Sequence, residues 1–98
     1  MIEVRQTEIF ENWFKQLKDR KAKARIQVRI DRMTVGNFGD VAPIGEGVSE
    51  LRVHYGPGYR VYFVQRGQIV VILLSGGDKS SQNSDIRKAK ELAKQLED

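Results

Sequence analysis

Residues 54–67, HYGPGYRVYFVQRG, gather the only histidine, three tyrosines and two arginines around a Gly-Pro-Gly turn. Arginine grips phosphate bidentately, and histidine moves protons near neutral pH. Tyrosine stacks on a base or holds a phosphate. Together these groups could cleave RNA by attack of a 2′-hydroxyl on the adjacent phosphate. A metal nuclease is not indicated, because carboxylates at metal-ligand spacing are absent. With one histidine and no cysteine, neither a histidine-based metal site nor a thiolate site is expected, and no cofactor is implied.

The elements that must position these side chains follow from periodicity. VSELRVHY (48–55) and YRVYFVQ (59–65) alternate as strands, joined tightly by Gly-Pro-Gly. QIVVILL (68–74) is apolar on both faces, as a covered central strand would be. IEVRQ (2–6) reads as a short strand, and Thr7 as the cap of a helix with Glu8 and Glu11 in its first turns. Ile9, Phe10, Trp13, Phe14 and Leu17 form its apolar stripe. DRK (19–21) separates a second helix, whose stripe is Ala22, Ile26, Ile30 and Met33 and whose C′ residue is Gly36. GNFGDVAPIGEG (36–47), with four glycines and a proline, reads as loop. A C-terminal helix carries Ile86, Ala89, Ala93 and Leu96 in a narrow stripe, with Leu92 beside it and Ser80 or Ser84 as cap. The order β-α-α-β-β-β-α predicts one α+β domain over 1–98. A small antiparallel sheet would have a helix hairpin on one face.

If that hairpin covers Leu51, Val53, Val61 and Phe63, period-2 geometry sends Arg52, His54, Arg60 and Tyr62 to the opposite face. SGGDKSS (75–81) would leave the central strand beside them, offering glycine backbone N–H groups and the charge of Lys79. GGDK resembles no Walker loop.

Charge is uneven. Lys15 to Arg32 holds eight basic and two acidic residues, a local +6 within a chain of net +4, leaving −2 elsewhere. Such a segment suits a polyanion or an acidic partner. No apolar run approaches the roughly 20 residues of a membrane span, and no secretory signal is visible, so a cytoplasmic chain without membrane contact is expected.

The segments ELRVHYGPGYRVYF, LLSGGDKSSQ.SDI.KAKE and FENWFKQLKD.KAKARI together resemble the addiction-module killer proteins. These form the HigB-like (phage Gp49-like) branch of the RelE/ParE toxin superfamily. The resemblance spans nearly the whole chain. It implies a toxin of a toxin–antitoxin pair, in many cases a ribosome-dependent mRNA endonuclease. A cognate antitoxin, commonly a helix-turn-helix protein, would neutralise it. Arg60 matches the catalytic arginine of a YR strand motif, and Lys79 the basic residue of the loop after the last main strand. Arg52 and His54 join them by alternation, His54 as acid–base candidate. Tyr55, Tyr62, Arg66, Lys21, Lys23 and Arg25 complete the candidate RNA-binding set. RelE-type enzymes carry a tyrosine near the chain's end, whereas this chain has none after Tyr62. His54, Tyr55 or Tyr62 would therefore transfer protons, or charge stabilisation would carry most of the rate. Two further readings are a ParE-like gyrase inhibitor and a degenerate toxin acting only as co-repressor.

Overall fold

A computed structural model describes residues 1–96. The elements are β1 Glu3–Gln6, α1 Glu8–Gln16, α2 Arg20–Met33, β2 Val41–Gly45, β3 Val48–Val53, β4 Tyr59–Arg66, β5 Val70–Asp78, a 3-10 turn Lys79–Ser81, and α3 Gln82–Leu96. The five strands form one sheet in the order β1-β5-β4-β3-β2. The architecture is the expected α+β, with β3, β4 and β5 as an antiparallel meander. The N-terminal strand departs from that pattern by lying parallel to β5.

Local chemistry explains the boundaries. Thr7 Oγ accepts the Phe10 N–H at 3.0 Å and donates to the Leu74 carbonyl at 2.6 Å, so one hydroxyl caps α1 and ties it to the sheet. Asp19 caps α2 by accepting from the N–H groups of Lys21 and Ala22. Gly36, at φ +82°, lies two residues past the Thr34 cap rather than at C′. Neither Ser80 nor Ser84 starts the last helix. Asp78 caps the 3-10 turn, accepting the Ser80 N–H at 2.8 Å, and the chain runs on into α3.

Three expectations are corrected. The first is that 36–47 is loop throughout: it contains β2, an edge strand paired only to β3. An edge tolerates Pro43, whose missing N–H costs a central strand a bond, and the register slips between Pro43 and Gly45. The second is that Ser75–Asp78 is loop, whereas it belongs to β5. The third is that the face bearing Arg60 and Tyr62 offers them as a binding surface, whereas helices cover both faces. α1 and α2 cover one face through Phe10, Ala22, Ile26, Ile30 and Met33, against Leu51, Val61, Phe63, Val71 and Leu73. On the other face α3 lays Ala89 and Ala93 over Val48, Tyr62, Val64 and Leu74. Leu96, expected in that stripe, is exposed.

Gly76 and Gly77 make this double cover possible. A Cβ at Gly76 would stand 2.3 Å from the Trp13 ring, and one at Gly77 only 1.9 Å from the Asp85 carboxylate. Gly76→Ala should therefore destabilise the fold by about 1–3 kcal/mol. Urea unfolding measures the loss, and Trp13, the only tryptophan, should report its displaced ring by a shifted emission.

Candidate nucleic-acid interface

Strands β3 and β4 meet in register, with Leu51 opposite Val61, Arg52 opposite Arg60 and Glu50 opposite Tyr62. Alternation thus assigned Arg52, Arg60 and Tyr62 to one face as the ladder has them. Their exposure is another matter, because α3 lies over that face. Tyr62 is 0% exposed and Arg60 8%. Tyr62 therefore stands in the core rather than on an RNA-binding surface. Burial first, then the charges of Glu50 and Asp85, push its phenol pKa up, so it stays protonated at neutral pH. It is a poor general base.

Arg60 sits in a buried polar network. Its Nε lies 3.6 Å from Glu50 Oε2, and the same oxygen accepts from Gln82 Nε2 at 2.7 Å. Arg60 Nη1 donates to the Gly58 carbonyl at 3.1 Å. A Cβ at Gly58 would meet Arg60 Nη1 at 3.3 Å and Lys79 Cβ at 3.6 Å, so the turn, Arg60 and Lys79 converge. Lys79 is exposed at the start of the 3-10 turn. Arg60 Nε, Tyr62 Oη and Ser75 Oγ are buried without a full hydrogen bond among the described residues. Ser75 is the β5 partner of Tyr62, so all three lie on neighbouring rungs beneath α3. Glu50 and Gln82 escaped sequence reading. Alternation does put Glu50 on the face of Arg52, but nothing in the sequence brings α3 to it.

A second cluster forms at the far side of the hairpin tip. The His54 side chain is 71% exposed, and its Nε2 lies 2.6 Å from Asp40 Oδ2. Arg52 Nη2 donates to Asp40 Oδ1 at 2.8 Å. The hydrogen bonds from His54 and then Arg52 hold the Asp40 carboxyl below its ordinary pKa. Beside His54 opens a groove of about 640 Å³ between α2 and the end of β3. Lys21, Arg25, Arg32, Val28 and Tyr55 line it, and the Arg25 guanidinium lies 4.7 Å from the centre of the Tyr55 ring.

The predicted residues thus divide. Arg60 and Lys79 converge at the turn, and His54, Arg52, Tyr55, Lys21 and Arg25 gather around Asp40 and the groove. Lys23 points elsewhere, donating to the Lys15 carbonyl at 3.1 Å beside the Phe14 ring. Arg66, six residues along β4 from Arg60 and so about 20 Å away, reaches the Ala93 carbonyl on α3 at 3.5 Å. Neither lies in the groove. Among the described residues no group of three or more His, Cys, Asp or Glu could hold a metal ion, and no helix is long and apolar enough to cross a membrane.

The family description "Phage derived protein Gp49-like (DUF891)" matches residues 12–97, from α1 through α3. The chain belongs to the Gp49-like family. An uncharacterized protein of Haemophilus influenzae is 47% identical over 95 residues, covering 97% of this chain and 96% of its own. In this Gp49-like chain the matched span contains both clusters and the groove.

Breaking the buried pair should be costly. Glu50→Leu leaves the Arg60 charge uncompensated and should lower unfolding free energy by about 3 kcal/mol. The double variant Glu50→Leu/Arg60→Leu should recover most of that loss in urea titrations.

Proposed function

We propose that this Gp49-like chain is the toxin of a toxin–antitoxin pair and acts as a ribosome-dependent mRNA endonuclease. One observation carries the reading: an exposed histidine, paired to a carboxylate that Arg52 shares, stands at the mouth of a cationic groove. Lys21, Arg25 and Arg32 would hold backbone phosphates, and Tyr55, backed by Arg25, would stack on a base. His54 would take the proton of a 2′-hydroxyl as its oxygen attacks the adjacent phosphorus. The phosphorus–5′-oxygen bond then breaks, the leaving oxygen takes a proton from water, and a cyclic phosphate remains. Arg60, Lys79 and Arg52 would offset the charge that builds on the phosphate. Family membership and the resemblance to RelE/ParE toxins support the toxin role. In this reading the partners are the ribosome and message in the cytoplasm, and a helix-turn-helix antitoxin.

A ParE-like gyrase inhibitor is the second reading. The burial of Arg60 and Tyr62 favours it, because binding needs no group at a scissile phosphate.

Primer extension on a translated reporter after brief induction separates the two. The native chain should generate new ribosome-dependent 5′ ends. His54→Ala should reduce them by about 100-fold or more, within the range for a lost acid–base group. Arg60→Ala leaves the Glu50 carboxylate buried without its partner, so it is compared with Glu50→Leu/Arg60→Leu, in which both charges are gone; the double variant should abolish the new ends while its circular dichroism stays native. Growth arrest with no new ends, together with inhibited supercoiling in vitro, would move the assignment to gyrase.

A further inference from the structure

Arg29 lies in the basic run of α2, yet its guanidinium is spent on backbone. Nη1 donates to the Arg52 carbonyl at 2.7 Å, and Nη2 to the carbonyls of Phe38 and Asp40 at 3.1 and 3.3 Å. The Arg52 N–H adds a bond to the Asp40 carbonyl at 3.0 Å. Gly39, at φ +70°, lies so close that a Cβ would stand 2.9 Å from Nη2. One cation from α2 thus fastens residues 38–40 to β3 and delivers the Asp40 side chain to a fixed place.

The carboxylate there is divided. Oδ1 accepts from Arg52 Nη2 and Nε at 2.8 and 3.2 Å, leaving Oδ2 for His54 Nε2 at 2.6 Å. A carboxylate only accepts, so the imidazole must supply the proton at Nε2. In the neutral ring the lone pair then resides on Nδ1. We propose that Asp40 is a positioning residue that fixes His54 as the Nε2–H tautomer, and that Nδ1 is the atom that takes the substrate's proton. The second half of this proposal rests on the acid–base role given to His54 above.

The chemistry is that of a carboxylate behind an imidazole. Before reaction Asp40 keeps the basic nitrogen aimed away from itself. When Nδ1 gains a proton, the imidazolium faces a carboxylate that is already ionised. Arg52 shares that carboxylate, while Lys21 and Arg25 in the groove oppose the new charge. Arg29 anchors the backbone beneath. Asp40 therefore serves two of the candidate site residues, and Arg29 holds Asp40 in place.

The single histidine makes the test clean, since a long-range ¹H–¹⁵N spectrum of the ¹⁵N-labelled native chain has only one imidazole to report. In the neutral ring, Nε2 should show the shift of a protonated nitrogen and Nδ1 that of a bare one. Asp40→Asn should convert this to a mixture of tautomers. A native ring protonated mainly at Nδ1, or a tautomer unchanged in Asp40→Asn, would overturn the assignment, and the native spectrum alone needs no variant to fold. In single-turnover cleavage of ribosome-bound message, Asp40→Asn should slow the rate on the order of 10- to 100-fold, part of what a positioned acid–base group supplies. Message affinity should stay within about twofold, and Asp40→Glu should recover part of the rate. A native rate in Asp40→Asn, or a loss confined to affinity, would refute the catalytic half. If the native chain cuts no message, the endonuclease reading falls, and the spectra alone then uphold or overturn the tautomer.

Discussion

The approach of α1 and α3 to opposite faces of β5 is limited by the backbone of Gly76 and Gly77. With Trp13 packed against one residue and Asp85 against the next, a methyl on either would collide with a helix. This two-sided contact seats α3 on the face that would otherwise carry the polar side chains of β3 and β4. From that seat Gln82 reaches Glu50, Glu50 reaches toward Arg60, and Tyr62 is closed off from solvent. What remains accessible is the rim, namely the hairpin tip, Lys79 and the end of β3. The location of the candidate site follows from where the second helical layer stops.

Two arginines facing each other across β3 and β4 have opposite fates for electrostatic reasons. Arg52 pairs with Asp40 where both side chains are over a third exposed, so the pair contributes at most about 1 kcal/mol and serves orientation more than stability. Arg60 and Glu50 are removed from water, where desolvation is large and each charge depends on the other. The interior pair defines the geometry around the turn, and the surface pair leaves a carboxylate oxygen for His54. Arg29 illustrates a third use of a cation, joining backbone carbonyls of β3 and of residues 38–40 through one guanidinium.

Much of this was legible in the sequence. Alternation placed Arg52, Arg60 and Tyr62 on one face, and helical spacing found all three helices, the α2 stripe and the α1 stripe apart from Ile9, which is exposed. Exposure was not legible, because Ala89 and Ala93 are small and read as a weak stripe rather than a cover for half the sheet. β2 was hidden by glycine and proline, which an edge strand tolerates. The glycines of SGGD read as a loop because close helix packing and turn formation call for the same residue. Asp40 lies 14 residues from His54, and its role depends on a clamp from a helix whose cations read as a solvent-facing set. Tertiary contact, not local pattern, creates that part of the site.

The parallel pairing of β1 with β5 has a consequence in time. Glu3–Gln6 form their ladder only with Val70–Leu73, so the first strand made waits for one of the last. Such a long-range closure is slow, and during synthesis it cannot occur until most of the chain has emerged. α1 and α2 precede the sheet in the chain and rest on local contacts, while the β1–β5 ladder and the Thr7 tie to Leu74 come late. Each new molecule therefore completes its sheet only after β5 has been made, which keeps a chain that stops short of β5 from reaching the form in which all five strands are paired.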